Sequence, residues 1–288
     1  MALRIDGTAM AGVLSQSVAE DVKTYLGQTG VRPTLAVVLM GDDPASEVYV
    51  RRKLAACVAV GIASQQHRLP AECLEPDLIA LIDALNADPS VHGILVQLPL
   101  PAGLNASVVL DRIDAAKDVD GFHPVNVGRL SVGTKGLVPC TPLGCMMLLD
   151  SVIDDYKGLH AVVIGKSNIV GKPVALLLLE RECTVVVTHI FTKSLADLIR
   201  SADIVVAAAG SPRLVRGDWI KPGAVVIDVG INRVTAEGGG TRLVGDCAGD
   251  ELGHAHAYTP VPGGVGPMTV GCLMSNTMRA ARSQLRAL

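Results

Sequence analysis

Apolar residues along this chain come in short unbroken runs, and the runs alternate with stretches of helical spacing. In the second half the run Ala161-Val-Val-Ile164 stops at Gly165, passes a short polar turn and enters an apolar helix over 174–179. Residues 184–189 read as a second strand, 203–210 as a third and 224–230 as a fourth, with helical spacing over 195–201. Strands that are apolar throughout and alternate with helices belong to a parallel sheet covered on both faces. The first half alternates too. Residues 11–26 have helical spacing, 34–41 form a strand, and 45–60 form a helix closed by Gly61. A short strand over 65–69, a helix over 74–86 and a strand over 93–101 ended by prolines follow. Pro139-Cys-Thr-Pro142 interrupts the pattern ahead of a helix over 143–150 and marks the domain boundary. Residues 259–269 hold three prolines and three glycines, which predicts a shaped loop ahead of a terminal helix over 270–285. The expected class is α/β, with a Rossmann-like parallel sheet in the second half and a smaller α/β sheet in the first.

Composition narrows the function. A chain of 288 residues, 49% hydrophobic, suits two compact domains. A net charge of −3 gives no basic surface for nucleic acid, and 2% aromatics leaves no base-stacking platform. No apolar run approaches the ~20 residues of a membrane span. Arg4 and Asp6 stand where a signal peptide would be apolar. Seven cysteines, at 57, 73, 140, 145, 183, 247 and 272, form no Cys-x-x-Cys pair, which points to reduced thiols and a cytoplasmic protein. Neither they nor His254 and His256 have a zinc spacing, so no metal is expected.

Three features carry chemistry. Gly165-Lys166-Ser167-Asn-Ile-Val-Gly171-Lys172-Pro173 has the strand–turn–helix context in which backbone N–H groups and a helix N-terminus hold a phosphate. Ser167 stands where Gly-x-Gly-x-x-Gly would have its second glycine, so an ordinary strand-to-helix turn is the other reading. The end of the second strand, Thr188-His189-Ile190-Phe191-Thr192-Lys193, lacks the carboxylate that binds the ribose 2′-hydroxyl of NAD. A 2′-phosphate would meet no negative charge there, and Lys166, His189 or Lys193 could approach it. This favours NADP, with NAD the alternative; the same residues also read as a solvated surface. Ser46, Tyr49 and Lys53 share one face of the helix over 45–60. A Tyr and a Lys in contact can divide acid–base work, although the triplet alone also fits a surface pair. Gln97 ends an apolar strand at its carboxyl edge, where a cis Leu98–Pro99 bond is one option, and Asp118 and Asp120 follow in a turn that usually caps or solvates.

With these residues in place the chain resembles the bifunctional methylenetetrahydrofolate dehydrogenase/cyclohydrolases over essentially its whole length. The carriers are Gly41-Asp-Asp-Pro-Ala-Ser46-Glu-Val-Tyr49-Val-Arg-Arg-Lys53, Gln97-Leu-Pro-Leu-Pro101, Asp118-Val-Asp120-Gly-Phe122, Pro139-Cys-Thr-Pro142, Gly165 to Pro173 and Thr259 to Thr269. The resemblance implies two α/β domains flanking a cleft. The first is a folate-binding, catalytic domain over 1–139 with 264–288 packed back on it, and the second is a dinucleotide-binding domain over 140–263. It implies oxidation of 5,10-methylenetetrahydrofolate with NADP, hydrolysis of the methenyl product to 10-formyltetrahydrofolate, a link to purine synthesis, and a homodimer. Lys53 then becomes the acid–base residue of hydrolysis, Gln97 its tuning partner, Tyr49 the neighbour of the folate rings and Asp120 the acceptor for the pterin N–H groups. Ser46 supports that cluster, and Pro262, Gly263 and Gly264 close on the folate. Gly165, Lys166 and Ser167 hold the dinucleotide, with Thr141 and Ile231 near its nicotinamide and adenosine parts and His189 and Ile190 at the 2′-phosphate.

Two positions depart from that family. An arginine is common near Ile190 or Lys166, and a lysine binds phosphate less specifically than a guanidinium fork. Cys247 follows Gly245-Asp246 where a valine is typical, a change of packing. Two other classes compete. The Tyr-x-x-x-Lys pair also resembles short-chain dehydrogenases, but here it precedes the glycine loop by over a hundred residues, whereas theirs follows it. A non-enzymatic nucleotide sensor would need no grouping of Lys53, Gln97 and Asp120.

Overall fold

The computed structural model describes residues 2–235 and 239–285. The first half runs β1 (Leu3–Arg4), α1 (Gly7–Thr29), β2 (Thr34–Met40), α2 (Pro44–Val60), β3 (Ala63–Leu69), α3 (Glu75–Ala87), β4 (Gly93–Val96), α4 (Ala106–Arg112) and α5 (Pro124–Ser131). The second continues with α6 (Cys140–Asp150), β5 (His160–Ile164), α7 (Gly171–Glu180), β6 (Thr184–Thr188), α8 (Leu195–Arg200), β7 (Ile204–Ala207) and β8 (Val225–Asp228). It ends with β9 (Asn232–Thr235), β10 (Thr241–Val244), β11 (Ala257–Tyr258) and α9 (Val265–Leu285).

The chain divides into two units. One comprises Gly12–Cys140 with the chain from Val270 onward; the other comprises the chain up to Ala11 with Thr141–Thr269. The sequence reading gave residues 1–139 to one domain and 264–288 back to it. In the structure β1 pairs in parallel with β11, which puts the first residues in the unit of the larger sheet.

The first of these units is built on a parallel sheet in the order β3-β2-β4. Every residue of β2 is buried, as expected for a central strand covered on both faces. Ala36, Val38 and Met40 pack with Leu78, Ile82 and Leu85 of α3 and Val109 of α4. Lys117 is buried, and its ammonium donates to the carbonyls of Leu85, Asn86 and Asp88 at 3.1, 2.8 and 2.7 Å, closing the C-terminus of α3. The Ile94 N–H bonds the Lys117 carbonyl, and Ile94 and Asp118 form a parallel bridge, so the segment from 117 onward is tied to the edge of β4. His92 lies buried between sheet and helices. Its Nδ1 accepts from the Thr34 N–H at 3.2 Å, and its Nε2 stands 3.5 Å from the Tyr25 hydroxyl, itself 3.5 Å from the Ala281 carbonyl. Burial and the Lys117 ammonium hold the imidazole below its ordinary value near 6.5, while Asp88 opposes them. A depressed histidine contributes stability that is present above its unfolded value and lost as pH falls through its folded one. Unfolding free energy is therefore expected to drop as pH is lowered below about 6.5, and His92→Gln to flatten that slope in urea titrations. An equal slope in the variant would assign the acid sensitivity elsewhere.

The other unit carries a parallel six-stranded sheet, β1-β11-β8-β7-β5-β6, beside the separate antiparallel hairpin β9–β10. From β5 the chain goes to β6 on one side and to β7 on the other. The carboxyl ends of β5 and β7 are thus a topological switch point, where open α/β sheets bind ligands. Ile164, Val205, Ala207, Val226 and Ile199 are among the buried side chains of its core.

Four helices start well before their apolar spacing predicts: α1 at Gly7, not 11, α7 at Gly171, not 174, and two whose prolines read as interruptions. Helix α6 begins at Cys140, not 143, and α9 at Val265, not 270. Pro142 and Pro267 sit in their first turns, where the missing N–H has no intrahelical partner to lose. The expected loop over 259–269 is therefore a loop only to Gly264. Among the described residues no helix is long and apolar enough to cross a membrane, and no His, Cys, Asp and Glu cluster has the form of a metal site.

Candidate active site

Helix α2 is started by local chemistry. The Asp43 carboxylate accepts from the Ser46 N–H at 2.7 Å, Pro44 opens the first turn, and Gly61 closes the helix in the left-handed region. Its inward face carries Ser46, Val50 and Cys57, all buried. Lys53 lies on the margin of that face, half-buried, and Tyr49 is 40% exposed one turn earlier. The Lys53 ammonium donates to Gln97 Oε1 at 3.0 Å, and Gln97 Nε2 donates to the Leu98 carbonyl at 2.6 Å. The Gln97 backbone N–H bonds Val38, and the Leu98–Pro99 bond is cis. The side-chain amide is therefore oriented at both ends, with its oxygen toward the lysine.

The two aspartates have separate fates. Asp118 is buried and accepts from the His123 N–H and from Asn126 Nδ2 at 2.8 and 2.9 Å, so its carboxylate is spent inside the unit. Asp120 is partly accessible. Burial pushes its carboxyl above the usual carboxylate range, the Lys53 ammonium pulls it back, and Asp118 adds to the rise. Gly121 keeps this turn tight, because a Cβ there would stand 2.6 Å from the Pro139 nitrogen. Lys53, Gln97 and Asp120 thus come together, with Tyr49 and Ser46 on the same helix. Two further residues serve this cluster. The Cys140 thiol donates to the Val119 carbonyl at 3.3 Å, and burial with the nearby Asp120 charge holds it well above the ordinary thiol range. Asn276 of α9 donates to the carbonyls of Val119 and Val138 at 2.9 and 2.8 Å. The available signal was one amide, Asn276, among the apolar residues Cys272, Leu273, Met274 and Met278.

The dinucleotide candidates lie in the other unit. Gly165 directly follows β5, and a Cβ there would stand 2.1 Å from the Ala208 carbonyl; at Gly171 it would meet the Gly165 carbonyl at 2.0 Å. Only glycine allows this turn, as a phosphate-approaching loop requires. The loop also differs from expectation. Ser167 Oγ accepts from the N–H groups of Val170 and Gly171, and the Ser167 carbonyl accepts from that of Lys172. The first donors of α7 are thereby spent on Ser167, and the exposed surface is the loop over 166–169 ahead of the helix, still in the positive field of its N-terminus. The cradle fits a dinucleotide phosphate. His189 is exposed and Ile190 is 91% exposed just past β6, Ile231 is 45% exposed past β8, and Thr141 bonds Thr269 through their hydroxyls at 3.1 Å. Pro262, with a cis bond before it, and Gly263 and Gly264 precede α9, and the Gly263 carbonyl accepts from the Thr8 N–H.

Tyr49 and Lys53 lie in the unit without the six-stranded sheet, which sets aside the short-chain dehydrogenase arrangement, where the pair shares the dinucleotide sheet. The model for the NAD(P)-binding domain of tetrahydrofolate dehydrogenase/cyclohydrolase matches residues 139–285, and the model for its catalytic domain matches residues 5–120. The chain belongs to the tetrahydrofolate dehydrogenase/cyclohydrolase family. It is 67% identical over 284 residues to bifunctional protein FolD 1 of Rhizorhabdus wittichii, covering 99% of this chain and 96% of that one. It is 62% identical to FolD of Sphingobium chlorophenolicum, with 98% and 89% covered. Among solved structures, bifunctional FolD from Campylobacter jejuni superposes with a TM-score of 0.95 at 45% identity, covering 99% of this chain and all of that one. FolD of Trypanosoma brucei, complexed with NADP cofactor and inhibitor, matches with a TM-score of 0.95 at 40% identity over 99% of both chains. Members of the tetrahydrofolate dehydrogenase/cyclohydrolase family thus share this fold along its whole length.

Proposed function

We propose that this protein oxidises 5,10-methylenetetrahydrofolate with NADP+ and then hydrolyses the methenyl cation to 10-formyltetrahydrofolate. The observation that carries the reading is the Lys53–Gln97 hydrogen bond of 3.0 Å beside the buried edge of Asp120. Bound NADP+ supplies the hydride acceptor, and the loop over 165–169 with Ile231 and Thr141 holds it. The folate side needs orientation more than acid catalysis in this step, because the cation is stabilised by its own two nitrogens. Asp120 provides the orientation by accepting from the pterin amino and ring N–H groups, and Tyr49 lies against the ring system.

Hydrolysis needs proton traffic. The oxygen of the attacking water becomes the formyl oxygen. The first of its protons goes to solvent as the carbinol forms; the Lys53 ammonium gives a proton to N5 as the carbon–N5 bond breaks, and the amine so formed takes the proton of the carbinol hydroxyl as that oxygen becomes the formyl carbonyl. Gln97 Oε1 holds Nζ in place for both transfers. Ser46 packs beneath the helix face, and Pro262, Gly263 and Gly264 border the folate. The test is to mix the protein with methylenetetrahydrofolate and each dinucleotide and to follow absorbance of reduced cofactor and of the methenyl intermediate. Reduction of NADP+ with a transient methenyl signal is expected; absence of both signals refutes the reading.

Ile190 bears on the choice of cofactor. Ile190→Arg is expected to raise the NADP/NAD ratio of kcat/KM by about tenfold, through one charge-assisted contact to the 2′-phosphate. An unchanged ratio would place that phosphate elsewhere. We further assign a homodimer formed through β6. This strand is an edge of the six-stranded sheet; it carries the exposed Val187 and is flanked by the exposed Leu179 and Phe191. A monomeric mass in sedimentation would refute it. The thiols of Cys57, Cys73, Cys140, Cys183 and Cys247 are in keeping with a cytoplasmic enzyme whose formyl product serves purine synthesis.

A further inference from the structure

At the carboxyl end of β7 the chain turns outward through Ala208, Ala209, Gly210 and Ser211. Ala209 and Gly210 are exposed, yet three consecutive N–H groups of this turn point inward to a single carboxylate. Asp246 Oδ2 accepts from Ala209 at 2.7 Å and from Gly210 at 2.9 Å. Its Oδ1 accepts from Ser211 at 2.9 Å and from Asn232 Nδ2 at 2.8 Å. Asp246 is completely buried and is held in turn by a second buried carboxylate. The N–H groups of Asp246 and Cys247 donate to Asp228 at 2.8 and 2.9 Å. A Cβ on Gly230 or Gly245 would overlap these carboxylates, so the pair fills its space completely.

The placement of this charge is specific. The turn it organises includes Ala208, whose carbonyl faces Gly165 across the switch point, and the same carboxylate anchors Asn232, next to Ile231. A buried charge is a costly way to hold an exposed turn unless the turn must keep one conformation. We infer that Asp246 is a positioning residue for the dinucleotide: it sets the 208–211 turn as the wall facing Gly165 and orients the segment of Ile231. This rests on the reading that the Gly165 loop holds the cofactor.

The variant Asp246→Asn keeps the shape but turns an amide donor toward two of the four N–H groups. Its KM for NADP+ is expected to rise at least about tenfold, the loss of a charge-assisted pair. Hydrolysis of supplied methenyltetrahydrofolate, which uses no nucleotide and whose proton traffic runs through Lys53 and Gln97, is expected to stay within twofold. An unchanged KM overturns the inference, and so does a parallel loss of both activities, the mark of a purely structural residue. If Asp246→Asn is insoluble, Asn232→Asp at its half-exposed position sets a second carboxylate against Asp246. It is expected to raise the same KM several-fold, and no rise overturns the inference. Hydrogen exchange on the wild type separates the two layers. NADP+ that leaves residues 165–171 unprotected sinks the dinucleotide assignment itself, whereas protection there with an unaltered Asp246→Asn KM sinks only the role of Asp246.

Discussion

Lys53→Met is expected to lower cyclohydrolase turnover by roughly a hundredfold to ten-thousandfold, the range that positioned acid–base groups supply. The substitution keeps the unbranched stem and removes only the group that moves protons. It should leave the fold intact, because α2 is held by the Asp43 cap, the Gly61 closure and the buried Val50, Cys57 and Val60, none of which involves Nζ. Gln97 Oε1 loses its donor, but the site is partly accessible and water can replace it. Hydride transfer requires no protein acid and is expected to fall far less. The measurement is the decay of methenyltetrahydrofolate absorbance beside reduction of NADP+ by the same preparation. Equal hydrolysis by wild type and variant would remove Lys53 from the mechanism, and equal loss of both activities would make it a binding residue.

Asp120→Ala is expected to weaken folate binding by on the order of 1–3 kcal/mol, about five- to 150-fold in KM, through loss of charge-assisted hydrogen bonds to the pterin. The direction of its titration supplies an independent check. Burial raises the Asp120 carboxyl above the usual range, so it takes up a proton earlier on acidification than an exposed aspartate does. Once protonated, it presents a donor where the pterin also presents donors. The wild-type KM for folate should therefore climb as pH falls into the acid range, and the alanine variant should lose that climb while starting from a higher value. A variant with the wild-type KM at neutral pH would dissociate Asp120 from the substrate.

Much of this arrangement is legible in the amino-acid order because the relevant signals are local. The apolar runs ending at Gly41, Gln97 and Gly165 mark three strand ends, and helical spacing puts Tyr49 and Lys53 on one face before any coordinates are known. Prolines were the misleading signal. Pro142 and Pro267 read as interruptions, yet each lies in a first turn that tolerates it, so α6 and α9 lengthen toward their N-termini. What stayed hidden depends on pairs distant in sequence. The bonds from Asp246 to residues 209–211, from Asn276 to Val119, and from Lys117 to the end of α3 span dozens of residues or more. Nothing in the immediate neighbourhood of any of these residues names its partner. The phosphate loop shows the same limit at short range: the glycines predicted its tightness, but not that Ser167 would take the first donors of α7 for itself.

The division of α9 has a consequence for biosynthesis. Its residues from Val270 onward belong to the unit built on β2, where Asn276 binds the carbonyls beside Asp120 and Arg282 pairs with Asp21. Translation proceeds from the N-terminus, and domains emerging from the ribosome ordinarily fold as they appear. Here the half that is synthesised first lacks a wall of its interior until the chain beyond Val270 has been made. Its nascent chain must wait, with the future proton-transfer site still open, while nearly the whole of the other half is made. A ribosome stalled shortly before Val270 would therefore have translated every strand of the nucleotide sheet but not Asn276, which the folate site still needs.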